Sequence, residues 1–280
     1  MRRAHRAHTA CAGAALLACA LVLTGCSMVS RQQRSSAPPT TPAPAAGVPA
    51  PPADVGSIPD AVPRAEPRSA HGNPAFYDVF GQRYYVLPSA DGYLERGVAS
   101  WYGPTFHGGN TSSGERYDMY GMTAAHKTLP LPTYARVTNL KNGRSVIVRI
   151  NDRGPFVANR LIDLSYTAAA KLDMIQGGTT LVEVRALTPG VPDELARDVE
   201  SPAPALYVQV AAFAERDNAQ RTLTRLQAAG LDNSSIASPV EGRSHLYRVR
   251  VGPVHSVADF DAVAARLAAL GFPKARLAGD

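Results

Sequence analysis

The sequence predicts a mainly β protein, with a small closed β-barrel followed by a compact α+β sandwich. Two observations carry this. From Gly97 to Leu187 the chain is a succession of short alternating segments, and from Leu206 to Phe272 a strand–helix unit repeats at an offset of 41 residues. A third observation delimits the folded parts: ten of the 23 prolines fall between Pro38 and Pro67, and a second break runs from Thr188 to Pro204. The breaks leave residues 71–189 and 204–280, joined by a linker over 190–203. Each of the two is long enough for one hydrophobic core.

The N-terminus has the form of an export signal over residues 1–25. Arg2, Arg3 and Arg6 precede an apolar run from Ala10 to Leu23, too short to span a bilayer, and then Leu23-Thr-Gly-Cys26. Residues 26–70 are polar and proline-rich, a composition that cannot offset its ordering entropy and predicts a disordered tether. Some forty residues at roughly 3 Å each give it a reach of about 100 Å. All three cysteines, Cys11, Cys19 and Cys26, lie in or at the end of the signal. That excludes a disulfide scaffold and a cysteine zinc site in the rest, and no metal or cofactor is expected. The formal charge of +6 loses three arginines with the signal, and no Lys/Arg block follows the tether. This argues against nucleic acid as a partner.

In 71–189, Val98–Tyr102 and Tyr134–Leu140 alternate, Asn142-Gly143 is a hairpin turn, and Val146, Val148 and Ile150 alternate again. Leu181–Ala186 is a last strand, and Phe76–Leu87 has the form of an added hairpin. Only Leu164–Leu172 has a helical pattern. So many short strands in about ninety residues imply closure. Three polar clusters interrupt them: Thr111-Ser-Ser-Gly-Glu115, Ala125-His-Lys127 and Asn151-Asp-Arg-Gly-Pro-Phe156. Asp152 directly follows an apolar strand, where a loop can aim a carboxylate across the barrel's opening. It can equally be a turn aspartate capping its own backbone. By themselves Glu115 also fits a solvated loop acid, His126 a satisfied core histidine, and Asp163 the start of the short helix. There is no Gly-rich phosphate loop, Ser-His-Asp pattern or HExxH.

In the C-terminal unit, Val208 and Val210, then Val249 and Val251, share one face of a strand. Ala219, Leu223 and Leu226 stripe the first helix, and Phe260, Val263, Leu267 and Leu270 the second. Ser256 with Asp259 forms a capping box, and Gly230 and Gly271 stand where helix ends favour glycine. Helices cover one sheet face only. The other presents Tyr207, Gln209, Arg248 and Arg250, either a solvated face or a binding face whose ring, amide and guanidinium groups suit a sugar chain.

The YVQVAAF and YRVRVGPV segments resemble the SPOR domain, which binds peptidoglycan glycan strands stripped of their peptides, enriched at the division septum. That resemblance implies a βαββαβ, ferredoxin-like sheet with glycan bound on Tyr207, Gln209, Arg248 and Arg250. The stretch ASWYGPTFHGGNTSSGERYDMYGMTAAHKTLPLPTYARVTNLKNGRSVIVRINDRGPF is similar to the double-psi β-barrel of the rare lipoprotein A family. Members of that family share the lipoprotein signal, the proline-rich tether and the SPOR domain, and some are lytic transglycosylases of peptide-free peptidoglycan. The resemblance implies functional carboxylates at Glu115 and Asp152, with His126 nearby, and division proteins as partners. Cleavage before Cys26 resembles the bacterial lipoprotein pattern, in which that sulfur carries a diacylglycerol. Ser27 lacks the aspartate that often retains lipoproteins in the inner membrane, which favours the outer membrane of a Gram-negative envelope.

Cleaving a β-1,4 glycosidic bond requires protonating the leaving oxygen while positive charge builds on the sugar carbon. A lytic transglycosylase then uses the muramic acid's own 6-hydroxyl, making a 1,6-anhydro ring. One carboxylic acid can give the first proton and take the second. Asp152 is assigned this role and Glu115 is assigned to orient the sugar or stabilise charge; the reverse assignment is open to the same residues. A pairing of Arg153 with Asp152 would favour the charged carboxylate, opposite to a general acid's need. Adjacent strand residues point to opposite faces, so that pairing is not required. Asn151 is expected to contact substrate, with Trp101, Tyr102, Tyr120 and Phe156 as flat surfaces for sugar rings. The rival readings are a non-catalytic glycan-binding division protein and an expansin-like loosening barrel.

Overall fold

The computed structural model describes residues 54–190, 205–239 and 245–279. The export signal, Cys26, most of the tether and nearly all of the 190–203 linker lie outside the described residues. The first elements form a separate two-stranded hairpin, β1 (Phe76–Val79) and β2 (Gln82–Tyr85). Six strands then close into a barrel: β3 (Leu94–Trp101), β4 (Thr123–His126), β5 (Thr133–Asn139), β6 (Ser145–Asp152), β7 (Arg160–Leu164) and β8 (Thr180–Ala186). Around the barrel they run β3-β7-β4-β6-β5-β8. Pairs β3–β7 and β4–β6 are parallel and the other four antiparallel, the two crossed connections of a double-psi barrel. One short helix, α1 (Tyr166–Lys171), follows β7.

Alternation explains the strands that pack most tightly. In β6, Val146, Val148 and Ile150 are essentially fully buried, as are Val137 of β5 and Val182 and Val184 of β8. Each such side chain contributes about 1.5–3 kcal/mol relative to exposure. The helical pattern predicted from Leu164 starts two residues later. Asp163 and Leu164 complete β7, and Ser165 caps α1 by accepting a hydrogen bond from the Ala168 N–H at 3.3 Å. Strand β4 overlaps the polar cluster Ala125–Lys127, and β7 ends at Leu164, where the helical pattern begins. Thr123-Ala-Ala-His126 lacks bulky alternating residues because it sits between two neighbouring strands, with Ala124 and Ala125 both buried.

Order also begins before residue 71. Ile58 and Ala61 pack against the barrel core, the Ile147 N–H donates to Asp60 at 2.9 Å, and the Ser69 N–H donates to the Leu131 carbonyl at 2.9 Å. The stretch expected to be disordered through residue 70 is therefore docked from Asp54 onward. Its composition hid this because it adds few apolar residues of its own and is held largely by polar contacts to the barrel.

The C-terminal unit runs β9 (Leu206–Phe213), α2 (Arg216–Ala228), β10 (Ser234–Ala237), β11 (Tyr247–Val251), α3 (Val257–Ala269) and β12 (Arg276–Gly279). The sheet order is β10-β11-β9-β12, all antiparallel, the βαββαβ arrangement expected. Val208, Val249, Val251, Leu226, Phe260 and Leu267 make its core. Ser256 and Asp259 cap α3 reciprocally: the Asp259 N–H donates to Ser256 Oγ at 3.0 Å, and the His255 N–H to Asp259 Oδ2 at 3.1 Å.

Candidate active site

Asp152 ends β6, and its position is set by the Thr111–Glu115 turn. Three donors converge on Oδ1 at 2.7 Å each: the Ser112 N–H, the Ser112 hydroxyl and the Arg153 N–H. Any proton or substrate contact therefore belongs to Oδ2. The turn is closed by the Thr111 N–H donating to the Glu115 carbonyl at 2.7 Å, with Gly114 at φ +90°, a conformation glycine adopts at little cost. The Ser113 N–H donates to the Asn151 carbonyl at 3.3 Å, so the turn and the end of β6 are joined through backbone as well as side chains.

Glu115 is half-buried. Arg149 Nη1 reaches both its oxygens, at 2.8 and 2.7 Å, and the Asn151 amide donates to Oε2 at 2.8 Å. Partial burial works against its ionisation, but the Asn151 and Arg149 hydrogen bonds prevail and hold the carboxyl below the ordinary glutamate range. It is therefore an ionised group, suited to orienting hydroxyls or balancing positive charge rather than giving a proton. Asn151, 3% exposed, serves to aim Glu115. Expected as a substrate contact, it is turned to the carboxylate because a bulge in the β4–β6 pairing sets Asp152, not Asn151, opposite Ala125.

Arg153 leaves Asp152's carboxylate unpaired by its guanidinium. Its Nε and Nη1 donate instead to the carbonyls of Gly72 at 2.8 Å, His126 at 3.1 Å and Leu129 at 2.5 Å. His126, expected beside the acids as a functional side chain, is 2% exposed. Nδ1 accepts the N–H groups of Thr128 at 3.2 Å and Leu129 at 3.0 Å, which puts its proton on Nε2, 2.9 Å from the Tyr93 hydroxyl. Burial, then the Arg153 and Lys127 charges, push this imidazole down to about 3. It is a neutral side chain that shapes the 127–131 loop, and it offers substrate no atom.

The aromatic candidates separate into three groups. Trp101 meets Tyr166 edge-on at 5.7 Å, and Tyr120 meets the same ring at 6.1 Å. Phe156 packs on Tyr77 and Tyr84 of the hairpin at 6.1 and 5.7 Å. Tyr102 stacks on Tyr117 at 4.0 Å with its hydroxyl buried, so packing takes up one ring face. Sequence reasoning missed Arg149 and Glu66. Arg149 sits on the polar face of an alternating strand, a legible signal. Glu66 carried none.

On the C-terminal sheet, Arg250 lies over the Tyr207 ring at 3.8 Å and opposite Gln209 across the β9–β11 pair. Arg276 of β12 is the partner of Gln209 on the other side, a third guanidinium on this sheet that the repeat did not reveal.

The family model described as lytic transglycolase matches residues 94–184, and the SPOR domain model matches residues 202–276. The barrel and the family model that matches it define an enzyme of the lytic transglycosylase class. The protein named endolytic peptidoglycan transglycosylase RlpA in Pseudomonas aeruginosa strain UCBPP-PA14 is 39% identical, over 79% of this chain and 81% of its own length. The proteins of that name in Vibrio cholerae and Neisseria meningitidis serogroup A are 44% and 46% identical, over 75% and 80% of their lengths and 72% and 70% of this chain. The chain belongs to the RlpA family.

Proposed function

We propose that this chain cleaves the MurNAc–GlcNAc β-1,4 bonds of peptide-free peptidoglycan strands, leaving 1,6-anhydro-MurNAc ends, at the division septum. Its relatives are named for endolytic peptidoglycan transglycosylation, and its SPOR domain belongs to a class of glycan binders. The observation that carries the reading is the pair of carboxylates held in different hydrogen-bond environments around one turn. Asp152 has Oδ1 saturated and Oδ2 available, while Glu115 is ionised by Arg149 and Asn151. Asp152 transfers the proton, and Glu115 orients sugar or balances charge. Trp101 and Tyr120 on one side, and Phe156 on the other, offer ring surfaces to the strand; Tyr207, Gln209, Arg248 and Arg250 hold it at the second domain. A lipid on Cys26 tethers the enzyme to the outer membrane facing the periplasm.

Purified protein incubated with amidase-treated sacculi tests the reaction. Soluble anhydro-muramic products, lost with Asp152→Asn, are the expected result. Binding to sacculi without soluble product would leave only a wall-adhesion role.

A further inference from the structure

One acid remains outside this account. Asp163, on β7, is half-buried, and its carboxylate accepts a hydrogen bond from the Ser100 hydroxyl of β3. The barrel register places it with care. Ser100 pairs with Asp163, Asp163 with Ala125, and Ala125 with Asp152, a single row across β3, β7, β4 and β6. Residues paired in register present their side chains to the same face. The two aspartates thus flank one alanine, two strand spacings or roughly 10 Å apart at the backbone. Both carboxyl groups therefore stand on one face of the barrel wall, on either side of Ala125. Tyr102 and Tyr117 each lie within the electrostatic reach of both aspartates.

The surroundings of Asp163 differ from those of Asp152. Burial holds its carboxyl above the ordinary aspartate range, against the opposite pull of the Ser100 bond, Arg160 on its own strand and Lys127 after β4, while Asp152 adds to the rise. Lys127 is itself engaged, donating to the Arg160 carbonyl. A carboxyl whose acid form is favoured by burial, beside one whose Oδ1 accepts three hydrogen bonds, is an arrangement that can divide the roles of general acid and general base.

We infer that Asp163 is a third reacting carboxylate of this site, the proton donor to the departing sugar oxygen, with Asp152 receiving the proton of the attacking hydroxyl. This rests on the transglycosylase reading above and divides between two groups the task otherwise given to Asp152. The C1–O4 bond breaks as Asp163 delivers its proton to O4 of the leaving GlcNAc. The 6-hydroxyl oxygen of the same MurNAc bonds to C1, and its proton passes to the Asp152 carboxylate. No water is consumed, and exchange with solvent returns Asp152 to its carboxylate and Asp163 to its acid before the next turnover.

Leaving-group dependence tests this. Asp163→Asn keeps the shape but carries no acidic proton, so cleavage of peptide-free glycan should fall about a hundredfold or more, the usual range for a lost general acid. A 4-nitrophenyl β-glycoside of MurNAc, whose leaving group departs without protonation, should lose less than about tenfold under the same change. Asp152→Asn should suppress both substrates. Equal losses of the two substrates in Asp163→Asn, or no loss in either, overturn the inference while leaving the transglycosylase reading intact. Failure of the native protein to form anhydro products removes both. Should Asp163→Asn fail to fold, as judged by its thermal transition, Ser100→Ala decides. Loss of a bond that favours the charged form should move the alkaline limb of kcat/KM up by roughly one pH unit, and an unmoved limb refutes the assignment.

Discussion

Arg149 holds two carboxylates from distant parts of the chain in one guanidinium: Glu115 through Nη1 at 2.7 Å, and Glu66 through Nη2 at 2.8 Å. Glu66 belongs to the stretch that composition marks as tether, yet it closes the charge balance of the acid turn. The Arg149 hydrogen bond prevails over burial, and bonds from Tyr134 and Arg64 assist, bringing the Glu66 carboxyl down to about 2.

From this follows a pH dependence of stability. The folded-state value of Glu66 lies below the unfolded one, so its contribution is complete above about pH 5 and is lost as pH falls toward 2. Glu66→Gln should flatten the acid side of the stability curve in that window and leave it unchanged between pH 6 and 8 apart from a constant offset. Urea unfolding at a series of pH values measures this.

The Ser112 hydroxyl is one of three donors on Asp152 Oδ1 and also accepts the Arg153 N–H at 3.2 Å. Ser112→Ala keeps the backbone donor and should preserve the fold. Turnover of peptide-free glycan should drop roughly ten- to hundredfold, the worth of one hydrogen bond to a charged group. Muropeptide release under single-turnover conditions checks it.

His126 should behave as a structural residue. Its pKa is lower in the folded state than unfolded, so the unfolded chain takes up its proton first and stability declines as pH falls from about 6.5 toward 3. His126→Gln should cost about 1–3 kcal/mol through its buried hydrogen bonds. It should remove that decline, and leave kcat within about tenfold of native at temperatures where it is folded. Calorimetry and turnover, measured together, separate the two effects.

On the second domain, Arg248→Ala combined with Arg250→Ala in the full chain should weaken retention on amidase-treated sacculi at least tenfold, by removing two charged donors and the stacking on Tyr207. Cleavage of short soluble glycans should continue. Loss of septal enrichment in cells should accompany the binding defect, visible with a fluorescent fusion.

How much of this was legible depended on where the physical cause resided. Val146, Val148 and Ile150 betrayed β6 because one buried face imposes a period of two. Ser256 and Asp259 betrayed the start of α3 because capping is local. Strand β4 was hidden because Ala124 and Ala125 are small to fit between neighbours, and small residues carry no periodic signal. The partnership of Asp152 with Ser112 spans 40 positions, and that of Glu66 with Arg149 spans 83. Only closure of the barrel brings such pairs together. Arg153 shows the limit in the other direction: strand alternation correctly freed it from Asp152, but nothing local named the carbonyls it would find.

Those carbonyls tie the site's aim to its surroundings. Gly72, His126 and Leu129 are bound from behind by the residue next to the acid, so the direction in which Asp152 leaves β6 is inherited from two segments far away in the chain. Transplanting the Asn151–Phe156 loop into another barrel would carry the reagent without its gunsight. A working graft would have to bring residues 72–73 and 126–129 along with it.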